Sequence, residues 1–257
     1  MHHPKPVLAR YFLPTPGTMT RDLHGRVITV TTDSTHRSIP TGTASIHPDG
    51  SHGGGRTAVR EVMIGSTLIL MTVCGGIYFY FRPQAGAFDH WVPISSTNGS
   101  WFTTVTDLRY PVVVIVGSVV LAALTVTRNR ARAFACLIAP SLALVTSELV
   151  IKPLVGRTLG GVPSYPSGST VGAAALAAAA VMASPKRWRT VTAVVATLFG
   201  LWMAVAVIAL RWHFPSDALA GLAFGVGVVL LVDGLAWEAD RTLTRRWFRG
   251  RRSRAVS

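Results

Sequence analysis

A chain of 257 residues that is 49% hydrophobic and only 14% charged, with a mean hydropathy of +0.42, excludes an ordinary soluble domain. Its nearly charge-free stretches are about as long as a helix needs to cross roughly 30 Å of hydrocarbon. The formal charge of +14 would suggest nucleic acid in a soluble protein, but the cations gather where apolar stretches end and anionic headgroups begin. Membrane lipids, and not nucleic acid, are therefore the expected partners.

Residues 1–60 are rich in Thr, Ser, Pro, Gly and His and show no periodicity, so they are expected to be a disordered polar segment. The six spans expected after it are 62–81, 110–127, 133–151, 166–183, 190–210 and 215–237. They make one all-α, six-transmembrane-helix domain over 61–237, closed by a basic tail over 238–257. The aromatic cluster Tyr78-Phe79-Tyr80-Phe81 marks a membrane boundary. The loop after it, carrying Asp89, His90, Trp91, Trp101 and Asp107, is expected to lie on the membrane surface over the site. Cys74 and Cys136 fall inside spans without neighbouring ligands, so no disulfide framework, metal or cofactor is expected. The fourth span, dominated by Ala and Gly, belongs at the centre of the bundle, because small residues let backbones approach.

Six spans put the N-terminal segment, the clusters at 128–132 and 184–189 and the tail on one side. The positive-inside rule makes that side cytoplasmic, with both termini in it. Three polar stretches then share the opposite, extracytoplasmic face: Lys152-Pro-Leu-Val-Gly-Arg157, Tyr165-Pro-Ser-Gly-Ser169 and Arg211-Trp-His-Phe-Pro-Ser-Asp217. Lys152, Arg157 and Arg211 offer charge to a phosphate. Ser167, Gly168 and Ser169 offer backbone N–H groups at a helix start, where the dipole favours anions. His213 can attack phosphorus from one ring nitrogen if an acceptor holds the other, and Asp217 is the acceptor available by spacing. Glu148, one turn before Lys152, is either its ion-pair partner or an auxiliary group of the site.

The order Lys152…Arg157, Pro166-Ser167-Gly168-Ser169 and His213-Phe-Pro-Ser-Asp217 resembles the type-2 phosphatidic acid phosphatase and vanadium haloperoxidase superfamily, membrane branch. The resemblance implies metal-independent hydrolysis of a lipid phosphate or polyprenyl diphosphate of the cell envelope. His213 would be the nucleophile, giving a phosphohistidine, Asp217 would orient it, and Lys152 with Ser167-Gly168 would hold phosphate oxygens. Three places, four residues in all, depart from the pattern. Leu159 and Gly160 stand where it has Arg-Pro, Val207 where it has Arg, and Ser169 where it has the histidine that protonates the leaving oxygen. Arg157 and Arg211 are the expected substitutes for the missing charge, and Glu148, Tyr165 or His90 for the missing acid. The alternative is a non-catalytic protein that binds or moves lipid phosphates; a solute transporter with two matching halves fits less well.

Overall fold

The computed structural model describes residues 20–21, 27–28, 52–91 and 110–254, and side chains over 57–90 and 110–244. Of the N-terminal unit, Met1–His47, it describes two short strands, β1 (Thr20–Arg21) and β2 (Val27–Ile28), paired antiparallel with Thr20 opposite Ile28. The expectations of disorder before residue 52 and of a surface-lying loop around Trp101 and Asp107 fall outside the described residues.

The second unit, Pro48–Ser257, is a helical bundle. Its elements are α1 (His52–Phe81), α2 (Ala87–Trp91), α3 (Pro111–Val126) and α4 (Arg130–Thr146). A π-helical turn (Ser147–Ile151) joins α4 to α5 (Lys152–Val155), and a hairpin of β3 (Thr158–Leu159) and β4 (Val162–Pro163) follows. The chain ends with α6 (Gly168–Ala183), α7 (Arg189–Ala209) and α8 (Pro215–Arg254). Local signals account for several starts. Asn129 caps α4 by accepting from the Arg132 N–H at 2.9 Å, and proline opens α3 and α8. The π turn ends two residues before Pro153, which has no N–H to donate back along the helix.

The six-span reading meets six helical rods among the described residues. Four segments, Thr57–Phe81, Arg130–Val155, Arg189–Ala209 and Pro215–Thr244, are long and apolar enough to cross a membrane. The other two, α3 and α6, are apolar but have 16 residues each. The boundaries shift in three places. Helix α1 begins at His52, inside the segment read as disordered, and the third span continues through the π turn to Val155. The basic tail is the continuation of α8, which runs unbroken to Arg254.

Helix α6 is the axis. Its first eight residues are all buried, and it packs on α3, α4, α7 and α8. Close approach to α8 explains the small residues: a Cβ on Gly225 would collide with the Val171 carbonyl, and one on Gly221 with Thr170. The main core joins Cys136, Ala139 and Ala143 of α4 to Val171, Ala175 and Ala179 of α6 and to Phe224 and Val229 of α8. That packing brings the last turns of α4, the start of α6 and the start of α8 to the same end of the bundle.

Candidate active site

A cleft of about 590 Å³ opens at this end. Leu144, Glu148 and Lys152 line it from one helical rod, Leu159 and Val162 from the hairpin, Gly168 and Ser169 from the start of α6, and Arg211 and His213 from the turn before α8. Three stretches far apart in sequence thus meet in one place.

His213 presents a defined tautomer. Its Nδ1 lies 2.9 Å from the Ser164 carbonyl oxygen. A carbonyl can only accept, so Nδ1 carries the hydrogen, and in the neutral ring the lone pair a nucleophile needs is then on Nε2. The acceptor is therefore not the one that spacing suggested. Asp217 is turned to other work: Oδ1 accepts from Arg157 Nη1, and Oδ2 accepts from the Phe214 N–H at 3.1 Å. The second bond is the N3-to-N-cap half of a capping box at the start of α8.

Arg157 is likewise not a phosphate ligand. Its side chain is completely buried, and all five of its N–H donors are engaged. Nε donates to Pro83 O and Nη1 to Ser216 Oγ and Asp217 Oδ1, while Nη2 donates to Gln84 O and, at 2.6 Å, to Asp89 Oδ2. The guanidinium lies between two rings, its carbon 3.7 Å from the Phe79 centroid and 4.2 Å from that of Phe214. Two carboxylates, two rings and two loop carbonyls thus enclose the charge, and no face is left for a substrate. Asp89 also accepts from the Ser216 N–H at 3.0 Å and the Gly86 N–H at 3.0 Å. Burial acts against its charge, but the bonds from Ser216, Arg157 and Gly86 outweigh it and hold the carboxyl below the usual aspartate range.

Lys152 does face the cleft. Its Nζ donates to both oxygens of Glu148, at 2.7 and 2.8 Å, so the ion pair and the place in the cleft coexist. The Glu148 carboxylate lies over the start of α6, where a Cβ on Gly168 would collide with Oε1. The first N–H groups of a helix have no partner within it, and the Ser167 side chain does not cap them. An internal carboxylate therefore occupies the ground a phosphate would take, held by a lysine and close to a helix N-terminus.

The departures from the family pattern fall into two kinds. Leu159 lines the cleft, so the family's arginine at that position would have reached it. Val207 is sealed in an apolar cluster with Ala173, Met203, Ala204 and Ala218. Arg211 also lines the cleft, from a left-handed backbone position (φ 57°) that normally favours glycine. Of the two expected substitutes for missing charge, Arg211 is placed to serve and Arg157 is not. Among the substitutes for the missing acid, Glu148 lines the cleft and Tyr165 does not. The Tyr165 hydroxyl donates to Thr72 O at 2.7 Å, and burial pushes the phenol well above its ordinary pKa. His90 is exposed outside the cleft lining.

Asp89 and the Ser164 carbonyl were not identified as site residues by sequence reasoning. A carbonyl belongs to every residue, and the cation that Asp89 meets, Arg157, is 68 residues away along the chain. Among the described residues no group of His, Cys, Asp and Glu could hold a metal ion. A family model described as the PAP2 superfamily matches residues 62–240, while no curated protein and no solved structure matches the chain.

Proposed function

The chain belongs to the PAP2 superfamily, and on that premise we propose that it hydrolyses a lipid phosphate or polyprenyl diphosphate in the His213 cleft, through a phosphohistidine. Phosphatase-type hydrolysis of a lipid phosphate is the activity that family membership supports, and several apolar helices make the protein integral to a membrane. The observation that carries the finer reading is the His213 ring, held at Nδ1 by Ser164 O in the same cleft as Lys152 and the start of α6. Nε2 attacks phosphorus as the bond to the leaving oxygen breaks, and that oxygen departs with the bonding pair. Water then attacks phosphorus, releases inorganic phosphate and restores the imidazole. Lys152, Arg211 and the N–H groups of Gly168 and Ser169 stabilise charge on the phosphate oxygens. A diphosphate suits this site best, because its leaving group is itself a phosphate and needs little help from the acid that Ser169 replaces. The distribution of Arg and Lys supports a cleft on the extracytoplasmic face with both termini cytoplasmic.

One observation favours a second reading, a protein that binds lipid phosphate without turning it over. Among the described residues His213 is the sole imidazole on the cleft, and both Glu148 oxygens are engaged by Lys152. Phosphate release from a lipid monophosphate and a polyprenyl diphosphate, measured on the full chain beside His213→Ala, separates the readings. Release from the diphosphate that vanishes in the variant supports the enzyme. Binding with no release supports the second reading, and equal release in the variant excludes His213 as nucleophile.

A further inference from the structure

The far end of the bundle holds a second cavity, of about 500 Å³. Arg132, in its wall, precedes Lys152 along one helical rod by about 30 Å of helical rise, so this cavity and the His213 cleft stand at opposite ends. Its walls come from α1, the α3–α4 turn, the α6–α7 link and α8. Trp188 is 55% exposed beside it, an aromatic placement typical of headgroup depth.

Charge and hydrogen bonding in this cavity are both unbalanced. Four cations, Arg128, Arg132, Lys186 and Arg189, face two carboxylates, Glu61 and Asp233. Arg132 is paired with Asp233, but only at 3.4 Å. Among the described residues, three buried nitrogens lack an acceptor: Arg132 Nε, Arg189 Nε and Trp237 Nε1. All three belong to this one cavity, and all three can only donate. Leaving such donors unmet costs the full desolvation of each. The helices α4 and α7 also begin here, so two positive dipole ends add to the field.

From this we infer that the cavity is a binding site for a phosphate group, an anion of about two negative charges held by Arg132, Arg189 and the Trp237 indole. Its charge matches the excess of two cations, its several oxygens match the orphaned donors, and guanidinium groups bind such oxygens in pairs. The group belongs either to a lipid headgroup or to free phosphate. The site is independent of the His213 chemistry.

The test uses the full chain, purified in detergent for equilibrium binding of radiolabelled inorganic phosphate. In parallel, the protein is reconstituted with phosphatidylcholine and phosphatidic acid, and retained lipid is read by native mass spectrometry. Each assay is run also on Lys152→Gln, so that phosphate held in the other cleft is subtracted. Arg189→Gln and Trp237→Phe are each expected to weaken binding about tenfold. Loss of lipid retention identifies a headgroup, whereas loss of inorganic phosphate binding alone identifies soluble phosphate. Trp237→Phe keeps the packing of the ring and decides the matter if Arg189→Gln does not fold. Wild-type binding in both variants, or no binding of either ligand by the parent, overturns the site.

Discussion

Lys152 and Arg157 belong to one short polar stretch, yet their surroundings differ completely. Lys152 opens onto the His213 cleft with one partner, Glu148, which is itself partly exposed. Arg157 is sealed between Asp89, Asp217 and two aromatic rings. The sealed cluster fixes geometry: it ties α2 to the first turn of α8, and His213 lies just before that turn. The open cleft holds groups that can exchange partners with a substrate. A motif arginine can thus be tied into the frame around a site while its charge is turned away from the cleft.

Four perturbations would break or sharpen this contrast. Arg157→Met has the largest expected effect, because it leaves Asp89 and Asp217 buried without their cation. A loss of about 3–5 kcal/mol in unfolding free energy is expected, read as a fall in the denaturation midpoint of the purified protein. Unchanged stability would mean that the cluster does not anchor the fold. Ser169→His acts on the open side and restores an acid beside the cleft. Phosphate release from a monoester should rise about 10²-fold, the lower end of what general acid catalysis contributes, with stability little changed.

Glu148→Gln is a smaller step. It removes the internal anion over Gly168 and should tighten inorganic phosphate binding about tenfold, an effect that fades with added salt. Weaker binding would show that Glu148 positions Lys152 and does not compete with phosphate. The smallest effect is a pH dependence from Asp89. Its folded pKa lies below the ordinary 3.8, so its contribution to stability is present above that value. It is lost as pH falls through the lower, folded value. Asp89→Asn should remove this acid-side slope, and the denaturation midpoint measured between about pH 2 and pH 5 checks it.

Hydropathy alone was enough to read an all-α membrane bundle, because every backbone polar group in hydrocarbon must be satisfied within its own helix. The spacing of Lys152, Ser167-Gly168 and His213 against the spans placed them at one end of it. The structure puts Lys152, Gly168 and His213 in one cleft, while Ser167 is fully buried with its N–H donating to Asp217 O at 3.0 Å. Boundaries were less legible. The glycine-rich, polar start of α1 and the basic end of α8 are not apolar enough for a hydropathy reading to include them.

What the linear sequence determined is therefore the membrane architecture and the set of groups that gather at one end, since both follow from periodicity and from where the polar interruptions fall. Tertiary structure decided which of those groups face the cleft. It gave His213 a backbone carbonyl in place of Asp217 and buried Arg157 against an aspartate 68 residues away, and it collected the orphaned donors at the far end. The physical reason is that a charge takes its role from the partners and solvent around it, and those are set by folding contacts that no local pattern encodes.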